Sequence, residues 1–260
     1  MRIALGQLAS GTDTAANLDA IDAFTAGAAA AGADLVAFPE YATYEKKAID
    51  GTFPQVAEPL DGPVGARLAA TARRHGIALV AGVVEQSPDP ARAYNTLAAF
   101  DAAGTLSGAY RKIHLFDAQG FHESRHIAPG PSTRPVVFTV HGVPVGLMAC
   151  YDLRFPEQAR MMSDAGARLA LVCASWVPGE VKTRQWTTLL AARAIENGIY
   201  VAGVCQAPPV SVGHSLVADP MGTVRTELGG EVGLAFADVS MAEAEDVRDR
   251  FPMHRQRRID

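Results

Sequence analysis

A mixed α/β domain with two sheets packed face to face is the fold class this sequence predicts, and three observations predict it. Apolar strand-like runs alternate with helical patterns in both halves of the chain. Hairpin signals interrupt the alternation, at Ala102-Ala-Gly-Thr105 and at His141-Gly142. No linker, low-complexity segment or short repeat divides the 260 residues, so one domain over 1–260 is expected. A sheet covered by helices on one face must bury the other, and a second sheet does that.

The elements follow in order. Residues 2–8 read as a strand. Asp13 or Thr14 can cap a helix running to about Ala31, with Gly32 as its stop. Residues 34–38 form a strand ending at Pro39-Glu40. Pro63–His75 alternates apolar and basic residues at helical spacing and stops at Gly76. Residues 77–84 are an apolar strand, and 94–101 with Leu106–Arg111 flank the first hairpin. A long polar connection over 112–131 follows. Residues 135–140 and Val143–Ala149 form the second hairpin. Then come a helix over 155–165, a strand Leu169–Ala174, a helix over 180–197 ended by Gly198, and a strand over 199–204. Short strands over 215–218, 223–227 and 232–239 precede a helix Met241–Arg250 and a basic tail.

Composition narrows the class. Hydrophobic residues make up 48% and charged residues 20%, which supports a sizeable soluble core. A net charge of −5 points away from nucleic acid and membrane surfaces as partners. No apolar run is long enough to span a bilayer, and the start Met-Arg-Ile-Ala-Leu-Gly-Gln lacks the regions of a signal peptide. The three cysteines are odd in number and form no CxxC, which argues against a disulfide framework and a Cys-based zinc site. A reducing cytoplasm is the expected location.

Two stretches compete for the chemistry. His122-Glu123-Ser-Arg-His126 has the His-Glu-x-x-His spacing of a zinc protease. That chemistry needs both His one turn apart on a stable helix, with Glu as base and a third ligand elsewhere. Gly120 before the motif and Pro129-Gly130-Pro131 after it leave little room for such a helix. The rival is Cys150, which follows an apolar strand and precedes a helix. A nucleophile at a strand-to-helix turn lies near helix N-terminal N–H groups that stabilise a thiolate and an oxyanion. The plain alternative is a small buried hydrophobe, the reading that fits Cys173 and Cys205 inside apolar strands. Glu40 ends another strand and can act as general base at the same sheet edge; its alternative is a solvated strand end. Lys112 follows Leu106–Arg111 and can stabilise an oxyanion, or it is a surface lysine.

Several separated stretches together resemble the nitrilase (carbon–nitrogen hydrolase) superfamily. They are Phe38-Pro-Glu40, Tyr110-Arg-Lys112-Ile-His-Leu-Phe-Asp117, Phe121-His-Glu123-Ser124 and Cys150-Tyr-Asp-Leu-Arg-Phe-Pro-Glu157, in the family's order. Arg193-Ala-Ile-Glu-Asn197 and Gly213-His-Ser-Leu-Val-Ala-Asp-Pro-Met-Gly222 match as well. The nearest branch is the Nit-type amidases, which act on ω-amides and deaminated glutathione. The resemblance implies an αββα sandwich that dimerises into a larger stack. It implies a metal-free Glu40–Lys112–Glu123–Cys150 site without a cofactor, in which His122 and His126 are bystanders. The implied reaction is amide hydrolysis through a thioester, with the Tyr151 backbone N–H sharing the oxyanion with Lys112. Arg154 can reach a substrate carboxylate, or form an ion pair with Glu157. Tyr41, Tyr151 and Trp176 are candidate pocket walls or core.

The chain departs from that branch at the pocket rim. The connection from Lys112 to Glu123 is short. Val177-Pro-Gly-Glu-Val-Lys-Thr-Arg-Gln-Trp186 replaces the usual Thr-Gly-x-x-His-Trp pattern. A different amide is therefore open, as are an N-carbamoyl-amine hydrolase, a nitrilase, a zinc protease and a non-catalytic interaction protein. The helices over 155–165 and 180–197 carry apolar faces that a second copy can cover, and the basic tail reads as a strap across such a dimer.

Overall fold

In the computed structural model, which describes residues 1–259, the chain forms two six-stranded sheets. The first half supplies β1 (Arg2–Gln7), β2 (Leu35–Ala37), β3 (Ala78–Gln86), β4 (Ala93–Phe100) and β5 (Leu106–Arg111), and β12 (Gly233–Asp238) returns to complete the order β12-β1-β2-β3-β4-β5. The second sheet has β6 (Val137–Val140), β7 (Val143–Ala149), β8 (Leu169–Ala174), β9 (Tyr200–Cys205), β10 (Leu216–Ala218) and β11 (Val224–Glu227), in the order β11-β10-β9-β8-β7-β6. Each sheet has a parallel centre, β1-β2-β3 or β7-β8-β9, with antiparallel margins. Parallel centres demand crossovers, and helices α1 (Thr14–Ala30), α3 (Pro63–His75), α4 (Pro156–Asp164) and α5 (Lys182–Asn197) supply them.

The layering follows from side-chain alternation. All six residues of β8 are buried, because both faces of its sheet are covered. Leu169, Leu171 and Cys173 face the other sheet, in the same core as Leu35 and Ala37 of β2. Ala170, Val172 and Ala174 face Trp186 and Leu190 of α5. On the outer face of the first sheet, Val36 packs with Ile21 of α1 and Leu68 of α3. The result is the expected αββα sandwich.

The helix signals hold. Asp13 is the N-cap of α1 and accepts a hydrogen bond from Ala16 N at 3.1 Å. Gly76 and Gly198 close α3 and α5 in the left-handed conformation. Several elements escape sequence patterning because they are single turns: α2 (Phe53–Val56), 3₁₀ turns at Glu123–Arg125 and Cys150–Arg154, and α7 (Met253–Gln256) after α6 (Met241–Arg250). In the tail, Arg257 pairs with Asp164 of α4 at 2.8 Å. Among the described residues, no helix is long and apolar enough to cross a membrane.

Candidate active site

The carboxyl ends of β2, β5, β7 and β8 come together at one end of the sandwich. Lys112, Cys150 and Ser175 follow β5, β7 and β8 directly, and Glu40 lies three residues beyond β2. Backbone contacts stitch the two sheets there: Ser175 N donates to Glu40 Oε2 at 2.7 Å, and Gln206 Nε2 donates to Glu40 O at 3.2 Å. The Glu40 turn lies flat on β3, where Gly82 N donates to Pro39 O at 3.0 Å. A Cβ on Gly82 would sit 2.4 Å from Tyr41 N, so only glycine permits that approach.

Cys150 occupies a strained turn. Its φ is 44°, in the left-handed region that non-glycine residues avoid, and it opens the 3₁₀ turn leading into α4. Asp152 holds this elbow from within. It is fully buried, and its Oδ2 accepts from Ala149 N at 2.9 Å and from Tyr110 OH at 2.6 Å. Its Oδ1 lies 2.7 Å from His114 Nδ1, and the His114 ring stacks on Phe155 at 3.8 Å. The Tyr151 N–H stands at the start of the turn, where no preceding helical carbonyl can accept it.

Around the thiol, two carboxylates share one ammonium. Lys112 Nζ donates to Glu40 Oε1 at 2.9 Å and to Glu123 Oε2 at 2.8 Å, and all three side chains are only 2% exposed. Asn95 Nδ2 bridges the same two acids, 2.6 Å from Glu40 Oε1 and 3.1 Å from Glu123 Oε1. Tyr41 OH and Phe116 N complete the shell of Glu123, at 3.0 Å and 2.6 Å. Burial depresses the Lys112 pKa, but the two flanking carboxylates outweigh it and hold the amine well above its usual range. For Cys150, burial and the nearby Glu40 charge push the thiol well up, against the pull of Lys112. Both effects favour the neutral thiol, and Glu40 is the adjacent carboxylate.

A cavity of about 220 Å³ opens onto this cluster. Glu40, Tyr41, Lys112, Glu123 and Cys150 line it, with Phe116 and Ile49 as apolar walls. A smaller recess shares Cys150, Phe116 and Ser175 with it and runs on to Tyr151, Arg154, Trp176 and Lys182. Every residue singled out from the sequence thus reaches one of the two spaces. Tyr41 is both wall and brace, since its phenol is spent on Glu123. The proposed Arg154–Glu157 ion pair is absent: Glu157 is exposed, and Arg154 Nη2 donates to Gln185 Oε1 at 2.7 Å. His122 and His126 flank a single 3₁₀ turn instead of one face of a long helix, and Glu123 between them is committed to Lys112.

Asn95, Ser175, Lys182 and Glu45 went unread in the sequence. Asn95 lies inside a strand whose pattern signals only burial. Glu45 lies in an irregular loop, yet it is buried, with Oε2 lacking any hydrogen-bond partner. Burial, reinforced by Glu40, pushes its carboxyl up from the ordinary 4.5 to about 8. The stability contributed by the neutral group is full below 4.5, the unfolded value, and is lost as pH rises through about 8. Glu45→Gln cannot ionise. Relative to wild type it is expected to gain stability between pH 5 and pH 9, on the order of 4 kcal/mol, and so to shift the melting temperature upward more at pH 9 than at pH 5. Thermal melts at the two pH values check this, and equal shifts would show that Glu45 is not held neutral.

A thiol, a base, a cation and a second carboxylate around one cavity form the equipment of a hydrolase working by nucleophilic attack. The chain belongs to the carbon–nitrogen hydrolase family, whose model, described as "Carbon-nitrogen hydrolase", matches residues 2–249. It is 43% identical over 272 residues to a hydrolase of Mycobacterium tuberculosis, covering 98% of this chain and 95% of that one. With the omega-amidase NIT2 of Homo sapiens it shares 33% identity over 278 residues, 100% of this chain and 95% of the relative. Among solved structures, a variant of the Nesterenkonia sp. AN1 amidase, bearing acrylamide added at its active-site cysteine, superimposes with a TM-score of 0.81 at 32% identity, over 98% of this chain and 99% of that one. The protein is thus an enzyme of the nitrilase superfamily, and amidases of the Nit type are its relatives.

Proposed function

We propose that this chain hydrolyses the amide of a small carboxylate-bearing substrate to acid and ammonia, with Cys150 as nucleophile. One observation carries the reading. Cys150 stands where a cavity lined by Glu40, Lys112 and Glu123 meets a recess bearing Arg154. The amide then lies in reach of the base, and the substrate's carboxylate in reach of the guanidinium.

Glu40 takes the Cys150 proton as sulfur attacks the amide carbonyl. The charge that develops on oxygen is balanced by the Lys112 ammonium and the Tyr151 N–H. Collapse of the adduct expels nitrogen, which Glu40 protonates, because an amide nitrogen leaves poorly until protonated. Ammonia departs and a thioester remains. Glu40 next takes a proton from water as it attacks the thioester, and Cys150 leaves with that proton restored. Glu123 holds Lys112 and orients the substrate nitrogen throughout. No step calls on a metal or an organic cofactor.

Ammonia release in the presence of EDTA tests the reading, across α-ketoglutaramate, succinamate, deaminated glutathione, an N-carbamoyl amino acid and a simple nitrile. Release from a carboxylate-bearing amide, unaffected by the chelator, is expected. Turnover of only the carbamoyl compound or the nitrile would reassign the reaction within the superfamily, and loss of activity with EDTA would reopen metal chemistry. The proposed setting is a cytoplasmic homodimer. Exposed Met161 on α4 and Ile195 on α5 offer an apolar face for a second copy. A single-chain mass in solution would remove the dimer.

A further inference from the structure

The recess beside Cys150 holds a second cation that the mechanism does not use. Lys182 is 5% exposed and opens α5. Its ammonium lies 5.2 Å from the Phe116 ring centroid and 5.2 Å from that of Trp176. Arg154 lies on the same indole, its Cζ 4.8 Å from the centroid. Trp176 Nε1 donates to Lys182 O at 3.1 Å, which locks the lysine's backbone to the recess wall.

Three effects oppose a charged amine here. Burial and the like charge of Arg154 both lower its pKa. The first turn of α5, where Lys182 sits, is the positive end of the helix dipole and carries no acidic residue. Among the described residues, neither Lys182 nor Arg154 has a carboxylate within ion-pairing distance, whereas Lys112 a short way off has two. Aromatic faces offset only part of that cost. A buried ammonium beside a half-buried guanidinium, neither with a carboxylate partner among the described residues, favours an anion between them.

We infer that Lys182 is a second anion-recognising cation beside Arg154, selecting anionic over neutral amides. The inference rests on the amidase reading and deepens it. The substrate's carboxylate is then seated between a guanidinium and an ammonium while its amide meets Cys150. Arg154 supplies a planar fork and Lys182 a point charge, so a carboxylate satisfies both.

Succinamate and its neutral near-isostere succinamide separate charge recognition from turnover. Lys182→Met keeps the stem that packs on Trp176 and removes the charge. The ratio of kcat/KM for succinamate over succinamide is expected to fall about tenfold or more in this variant, chiefly through a higher KM for succinamate. Lys182→Arg should recover much of the ratio. Equal losses on both amides, or an unchanged ratio, would overturn the inference. A second measurement needs no turnover: the relative rates at which iodoacetate and iodoacetamide alkylate Cys150. Changes in thiol reactivity affect both reagents alike and cancel in the ratio. Lys182→Met is expected to lower the iodoacetate-to-iodoacetamide ratio about fivefold or more. A lowered ratio with no hydrolysis of either amide would leave the anion recess standing and remove the amidase reading. An unchanged ratio with normal hydrolysis would do the reverse.

Discussion

Cys150→Ala is expected to abolish amide turnover, by at least about 10⁴-fold, while the protein stays folded. Neither of the other cysteines can take the nucleophile's place. Cys173 is buried between the sheets, and Cys205 is buried against α5. Burial pushes the Cys173 thiol out of the neutral range and the Cys205 thiol to about 12. The substitution removes one sulfur atom from a site that borders a cavity. The elbow itself is held by the Asp152 contacts to Ala149, Tyr110 and His114, which the change does not touch. Stability should therefore move by only about 1 kcal/mol. Steady-state ammonia release with circular dichroism checks both halves. Near-wild-type activity in a folded variant would sink the thioester mechanism.

Glu40→Gln is expected to lose about 10²–10⁴-fold in both formation and hydrolysis of the thioester, because one carboxyl serves both as base and as acid. The shape is retained, but the amide has one oxygen where the carboxylate has two, so either Asn95 Nδ2 or Ser175 N loses its acceptor, and Lys112 loses one of its two counter-charges. The thiol should respond in the opposite sense. Glu40 is the leading charge that raises the Cys150 pKa, second only to burial, while Lys112 lowers it. Removing the Glu40 charge therefore lowers the thiol pKa. Iodoacetamide alkylation should become faster at neutral pH, as amide hydrolysis collapses. Rapid-quench detection of the thioester together with the alkylation rate reads both. Normal thioester formation would move the base to another residue, with Glu123 the next carboxylate.

The two variants probe different parts of one arrangement. Burial and the Glu40 charge favour the protonated thiol, and Lys112 opposes them. Thiol reactivity and catalytic rate are thus separable, and opposite movement in Glu40→Gln would be the signature of a site built on base assistance instead of a standing thiolate.

How much of this could be read beforehand depends on the range of the interactions. Strand and helix order, the α5 stop at Gly198 and the Asp13 cap were legible because periodicity and capping are local. So was the position of Cys150 at a strand-to-helix turn. Family resemblance singled out Glu40, Lys112, Glu123 and Cys150, which lie up to 110 residues apart in the chain. Residue spacing alone left an alternative open at each of them, and a zinc motif at His122-Glu123-x-x-His126 as well. Their convergence needed the fold: parallel strands β2, β7 and β8 bring their carboxyl ends to one edge, and β5 reaches it through two antiparallel steps. The one-turn conformation at Glu123–Arg125 and the pairing of Glu123 with Lys112 then commit that glutamate to the cluster.

The rest was decided only in three dimensions. Asn95 reads as an ordinary strand residue until the Glu40 turn and the Glu123 loop both close over it. Arg154 had a nearby acid in the sequence, Glu157, but the tight turn before α4 sends one to the recess and the other to solvent. Nothing in the sequence around Lys182 singles it out. It becomes a buried cation because Trp176 and Phe116, contributed by separate connections, close around it. Sequence by itself determined which elements form and which residue types stand at strand ends, since those follow from local sterics and burial periodicity. Charge pairing, desolvation and the missing counter-ion depend on distances between remote segments, and only the packed sandwich sets those.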